Sequence, residues 1–226
     1  NSFFAATQTQ IFAYEFGSLS VVDEASDVTS HRMNKVVSAC GRVISLHTYT
    51  HSSLLKSGCT EMRACVADVY FADVIAVSLF NGQVSLLDSE LCEVKCVDVG
   101  FVAFSIVYDG YRFYMGSGDG RIAYADGSFE KVDLFESSIG ISTVHLVSSA
   151  GEVTATCDNR FFHISNLTAR DVPADFIFFA GFCSPGTFLG LLRREKKGEA
   201  GHVVTARIDD RTHGFVSRVV FEFSHP

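Results

Sequence analysis

The residues that most invite a chemical reading are Gly116-Ser117-Gly118-Asp119-Gly120, near the middle of the chain. A glycine-rich run can cradle a phosphate when a helix follows it, because its amides and the helix dipole then face the anion. Here Arg121 to Asp126 follow and read as a strand, so the run is expected to be a hairpin turn. It also fails as a nucleophile elbow, since Ser117 lacks a glycine two positions away on each side. The histidines could join serines and aspartates in a triad, but a triad is defined by geometry, which chain separation does not test. His145 and His163 fall inside strand patterns and are expected to be packed or half-exposed strand residues. Cys92 and Cys96 lie four apart, on one face of a strand, without a second Cys/His pair of matching spacing. His47 and His51 straddle a strand end. Neither pair is expected to hold a metal, and no cofactor is expected.

A more coherent constellation emerges from a recurring turn. Thr9-Gln10-Ile11, Gly41-Arg42-Val43, Gly82-Gln83-Val84, Gly120-Arg121-Ile122, Asn159-Arg160-Phe161 and Gly201-His202-Val203 each place a turn residue just before a strand start. The residue after the turn is never acidic, and three times it is Arg. If the units are equivalent, Arg42, Arg121, Arg160 and His202 gather on one face. A cationic ring of this kind could hold a carboxylate-rich or phosphorylated peptide by bidentate contacts. The competing reading is that each Arg solvates its turn and pairs with a neighbouring acid. Phe80, Tyr111 and Phe161 are candidate exposed aromatic anchors, with blade packing the equal alternative for each. Arg193-Arg194-Glu195-Lys196-Lys197 reads as a solvated loop tip.

The turn intervals are 32, 41, 38, 39 and 42 residues. A strand-built period near 40 is what a β-propeller blade leaves in a sequence, and a β-sandwich does not predict it. The clearest units run Ala64–Phe71, Val74–Phe80, Val84–Asp88 and Cys92–Val97, then Val102–Tyr108, Tyr111–Gly116, Arg121–Asp126 and Phe129–Phe135. A third unit runs from Thr143 to Val172, and a looser one from Phe176 to Phe223 with a long charged loop. Asn81-Gly82 suits positive φ at both central turn positions. The expected fold is all-β: a single propeller over residues 1–226, with about six four-stranded blades near 1–27, 28–60, 61–98, 99–137, 138–174 and 175–226. The first interval is short, so the first blade is expected to lack its innermost strand. Residues upstream of Asn1, a partner, or Phe215–Phe223 would supply it, and an open edge would invite strand addition.

With 47 % hydrophobic and 19 % charged residues, the 226-residue chain is neither disordered nor fibrous. Abundant Val and Phe with few Pro favour strands. The formal charge of −8 argues against a nucleic-acid backbone as the main partner. No segment is expected to cross a membrane: Cys65–Phe80 is broken by Asp68 and Asp73, and Phe176–Cys183 is too short. The chain opens on Asn1 with no signal-like segment, although a missing start could hide one. Seven cysteines, mostly inside strand-like runs, are expected to be buried reduced thiols of an intracellular protein.

Tyr114 to Asp126 resembles the end of a degenerate WD repeat: a glycine-rich turn with Asp-Gly, then a strand ending in Asp. Ala125-Asp126 and Leu87-Asp88 stand where that family carries Trp-Asp; the Trp is absent throughout, and so is a recognisable Gly-His pair. The resemblance implies a non-catalytic scaffold or adaptor subunit of an intracellular multiprotein complex, binding protein partners through propeller loops. The alternative it implies is a small propeller enzyme of hydrolase type, similar in general layout to the WD-repeat esterase of the diphthamide pathway.

Overall fold

The structure is a computed structural model. It describes the backbone of residues 2–6, 10–15, 18–24, 28–32, 35–50, 53–135, 138–149, 151–158, 160–165, 168–172, 178–184, 187–192, 201–208 and 215–223. Side chains are described for residues 35–48, 58–135, 138–148, 151–158, 160–164 and 169. Every regular element among these residues is a β-strand. The chain divides into two compact units, Asn1–Ile106 and Val107–Pro226.

The first unit opens with β1 (Ser2–Ala6), β2 (Gln10–Glu15) and β3 (Ser18–Glu24), followed by β4 (Val28–Arg32), β5 (Lys35–Cys40), β6 (Val43–Thr50) and β7 (Ser53–Glu61). It continues through β8 (Val66–Phe71), β9 (Ile75–Leu79), β10 (Gln83–Leu87) and β11 (Glu93–Asp98), and ends within β12 (Ala103–Tyr108). The second unit holds β13 (Arg112–Ser117), β14 (Ile122–Asp126) and β15 (Val132–Leu134). Next come β16 (His145–Ser149), β17 (Glu152–Cys157), β18 (Arg160–Ser165) and β19 (Thr168–Val172), then β20 (Phe178–Ser184), β21 (Thr187–Leu192), β22 (Gly201–Ile208) and β23 (Phe215–Phe223).

Each sheet is a meander in chain order, and every paired register is antiparallel. Five sheets have four strands; β1-β2-β3 has three among the described residues. Sequence pattern explains the layering within a sheet. β9 is apolar but for Ser78 and is wholly buried, whereas β11 carries Glu93, Lys95 and Asp98 and lies at the sheet edge. Charged side chains on an edge strand discourage pairing with another chain. Val37, Ile44, Ile75, Val77 and Leu79 anchor the core of the first unit. In the second, Phe129 packs on Phe113, ring centroids 5.0 Å apart.

The recurring turn joins β5 to β6, β9 to β10, β13 to β14 and β17 to β18, the second and third strands of their sheets. Gly41, Gly82 and Gly120 hold φ of 56°, 85° and 83°, the left-handed region that glycine enters without a Cβ penalty. At Asn81-Gly82 only the glycine is positive, which corrects the expected pair; Gly82 N donates to Leu79 O at 3.0 Å. In the β17–β18 turn the positive φ, 52°, falls on Asp158. The segment after β7, β11 and β15 then returns to the turn. Val99 N donates to Gly82 O at 3.0 Å, Ile139 N to Gly120 O at 2.8 Å, and Met62 N to Arg42 O at 2.7 Å. The period near 40 therefore marks a hydrogen-bonded unit of four strands plus a docked return segment.

A second repeated device was not foreseen. Asp88 and Asp126, the residues in the Trp-Asp place, each begin the turn to the fourth strand. Asp88 Oδ1 accepts Glu90 N and Cys92 N at 2.8 and 2.9 Å, and Asp126 Oδ1 accepts Ser128 N at 3.0 Å. Three residues on, Leu91 and Phe129 have φ of 64° and 52°, and both are buried. The expected strand from Phe129 to Phe135 is thus only Val132–Leu134, because Phe129 turns inward as a plug. β3 and β4 were missed because Ser, Asp, Thr and Arg dilute their apolar pattern.

Candidate protein-binding surface

In the first unit, exposed aromatic surface gathers at the turn end of the sheet formed by β8–β11. Phe80, just after β9, is 52 % exposed, and Phe104, at the start of β12, is 39 % exposed. Their rings meet edge to face, 5.8 Å apart and at 80°, a geometry favoured by the aromatic quadrupole. The backbone fixes both residues. Phe80 N donates to Cys65 O at 2.9 Å. Ser78 Oγ donates to Ala103 O at 2.6 Å, tying the residue before Phe104 to β9. Asn81 Oδ1 accepts Gln83 N at 3.2 Å and stiffens the turn beyond Phe80.

Beside the preceding sheet lies a cleft of about 370 Å³ lined by Arg42, Glu61, Met62, Arg63, Leu91 and Glu93. Arg42 Nε donates to Met62 O at 2.9 Å, and its Nη2 lies 3.3 Å from Glu61 Oε1. Arg63 grips both carboxylate oxygens of Glu93, and Ser85 Oγ donates to Glu93 Oε2 at 2.8 Å. Burial pushes the Glu93 carboxyl up, but the bonds from Arg63 and Ser85 outweigh it and hold the group below its ordinary range. The cleft is lined by two acid–base pairs of compensating charge.

In the second unit, Arg121 Nε donates to Asp119 Oδ1 and Oδ2 at 2.9 and 3.0 Å. That bond, with one from Ser117, holds the Asp119 carboxyl below its usual value. The Ser117 hydroxyl donates to Asp119 Oδ1 at 2.6 Å and accepts Arg121 N at 2.7 Å, so these groups of the glycine-rich turn are spent on one another. Arg160 lies over the Phe162 ring, 5.0 Å from its centroid. The return segment links the two turns: Ile141 N donates to Asp158 Oδ2 at 2.7 Å, leaving the Ile141 side chain 88 % exposed.

The six candidate residues thus separate. Arg42 and Phe80 belong to the first unit. Arg121 and Arg160 flank neighbouring turns of the second. Tyr111 is 81 % exposed in the β12–β13 turn, at the other end of β13 from Arg121; Asp109 Oδ1 holds that turn by accepting Tyr111 N at 2.7 Å. The side chain of His202 lies outside the described residues, as do the whole of His51 and the loop 193–200. Phe161 takes the blade-packing alternative: it is buried at 2 %, as the second residue of β18. Cys40, Cys59, Cys65 and Cys92 are exposed, contrary to the expected burial, since they sit at strand ends or on an outer strand; Cys157 is buried. Phe104 and Ile141 were not singled out in the sequence. Alternation along β12 puts Phe104 on the face opposite Ala103 and Ser105, and this was the available signal. Ser38 Oγ lies 3.3 Å from His47 Nε2, but both residues are buried between strands, where no substrate reaches them.

The chain matches no protein-family profile and no curated protein. Among solved structures it is similar to U3-55K, with TM-score 0.71 and 11 % identity over 99 % of this chain and 78 % of that one. It is likewise similar to a chain of the mitotic checkpoint complex, with TM-score 0.70 and 11 % identity over 99 % and 76 %. The WD40 β-propeller domain of Doa1 gives TM-score 0.65 and 11 % identity over 97 % and 78 %. The fold is therefore that of a WD-repeat β-propeller, built here without the Trp that gives the repeat its name.

Proposed function

We propose that this chain is a non-catalytic scaffold or adaptor subunit of an intracellular multiprotein complex, and that it binds protein partners through its turn-end surface. The observation that carries this reading is the Phe80–Phe104 pair: two exposed aromatics held rigidly edge to face by backbone hydrogen bonds. Rigid aromatic anchors dominate protein interfaces because they bury large area at small entropic cost. The likeness to a chain of the mitotic checkpoint complex supports an assembly role in general. Arg42 and Arg121 are each paired with an acid, so neither is offered as an anchor.

The test is a Phe80→Ser/Phe104→Ser double variant, compared with the parent chain by affinity purification from the native source and quantitative mass spectrometry. Both side chains are substantially exposed, so the unfolding midpoint should move little. At least one partner should be depleted tenfold or more. Identical co-purifying proteins with a folded variant would refute this surface as the binding site.

A further inference from the structure

β7 ends the strand order β4-β5-β6-β7, so one side of it carries no neighbouring strand. Its pairing with β6 continues past its last residue, where Met62 N donates to Arg42 O at 2.7 Å. Hydrogen-bonded and non-hydrogen-bonded pairs alternate along an antiparallel ladder. With Met62 turned toward β6, the N–H and C=O groups of Cys59 and Glu61 therefore point out along the open edge. Such an edge is a template for an added strand. Cys59 and Glu61 are exposed, whereas Gly58 and Thr60 are half-buried.

Two hollows lie along this strand and share Leu91 as a wall. The cleft of about 370 Å³ takes in Thr60 to Arg63. A second, of about 180 Å³, takes in Gly58 and Cys59 and has the buried Leu46 and Leu91 as its apolar lining. Leu91 Cδ1 would lie 3.8 Å from a Cβ on Gly58, so Leu91 reaches the strand there and partitions the two hollows. Gly58 and Thr60 are two residues apart, the spacing at which an added strand presents successive side chains on one face. The larger hollow also carries an unspent donor edge. Arg63 uses only Nη2 on Glu93; among the described residues its Nε and Nη1 have no partner. That edge matches a carboxylate in bidentate geometry, and no acid need be displaced to use it.

We propose that this groove binds an extended peptide segment by strand addition along β7, with an aliphatic side chain over Leu46 and Leu91 and, two residues away, an acidic side chain on the open edge of Arg63. The backbone of Cys59 and Glu61 supplies sequence-independent hydrogen bonds, and the two hollows supply the selection. This surface is separate from the Phe80–Phe104 pair and would engage a second segment or a second partner.

The experiment is an array of seven-residue peptides, threonine throughout except at the third and fifth positions, where every pair of residue types is displayed. Probed with the labelled parent chain, it should favour one aliphatic and one acidic residue; an array without that preference overturns the proposal. The best peptide is then measured by fluorescence anisotropy. Changing its acid to the amide, or Arg63→Gln in the protein, should each weaken binding about fivefold or more, and both together no further. Equal affinity for the acid and amide peptides overturns the Arg63 contact, and that comparison needs no protein variant. Methylating alternate peptide nitrogens should abolish binding in one frame and spare it in the other, because only one set faces β7; tolerance in both frames overturns strand addition. The Phe80→Ser/Phe104→Ser variant should bind the peptide as the parent does, and a loss there would place the peptide on the aromatic pair and overturn the groove.

Discussion

Replacing Phe129 by alanine and by glycine should reverse the usual ranking of those two residues. Phe129 is fully buried against Phe113, yet its φ is 52°. Removing the ring should cost about 3–5 kcal/mol, as for other buried aromatics truncated to alanine. Alanine would keep the left-handed backbone, which costs an L-residue about 1–2 kcal/mol. Glycine escapes that strain and gives back only about 0.5–1 kcal/mol in greater chain entropy. Phe129→Gly should therefore be more stable than Phe129→Ala by roughly 0.5–1 kcal/mol. Phe113 supplies the control. It is 1 % exposed within β13 and is not among the positive-φ residues, so alanine should outrank glycine there. Urea unfolding followed by far-UV circular dichroism reads both series. Because the chain forms two compact units, the transition that responds to Phe113 should also respond to Phe129, both lying in the second. Alanine equal to or above glycine at position 129, or one order at both positions, would refute the claim that the turn is strained and held by its plug.

Two further outcomes follow from the same packing. A Cβ on Gly120 would run into the backbone of Gly140 and strain a φ of 83°, whereas one on Gly140 would meet the side chains of Asp158 and Cys157. Side chains can yield and backbone cannot, so thermal unfolding should find Gly120→Ala the more destabilised, by about 2 kcal/mol or more; the reverse order would sink the argument. A maleimide reagent with peptide mapping should label Cys40, Cys59, Cys65 and Cys92 in the folded protein and reach Cys157 only after unfolding.

What was legible in the sequence was local chemistry with one solution. Gly82 and Gly120 announced their turns because a left-handed turn position selects glycine, and their spacing then gave the repeat. β9 and β13 were equally plain, being short, largely apolar or aromatic segments between turn residues. Phe129 misled because a buried aromatic looks like a strand residue; only the Asp126 turn three residues earlier distinguishes it. The burial of Phe161 and the exposure of Phe104 were hidden for a similar reason. Which face of a strand is covered depends on the neighbouring sheet, which composition does not encode. Arg42 and Arg121 were visible as cations, but their acid partners came from different distances along the chain. Asp119 stands two residues from Arg121, whereas Glu61 reaches Arg42 across the β6–β7 pairing.

Those pairings bear on where binding energy would come from. An exposed ion pair contributes about 0–1 kcal/mol, and a partner's carboxylate would first have to displace Glu61 or Asp119 to use either guanidinium. A partner covering Phe80 and Phe104 displaces only water. At about 25 cal/mol per Å² of apolar area, covering two half-exposed aromatic faces outweighs a rearranged surface pair. The turn beside the pair still matters, because the hydrogen bond from Val99 N to Gly82 O ties it to the return segment and spares a partner part of the cost of ordering it. The repeated turn therefore supports the surface, and the aromatic pair beside one copy of it is where recognition would be concentrated.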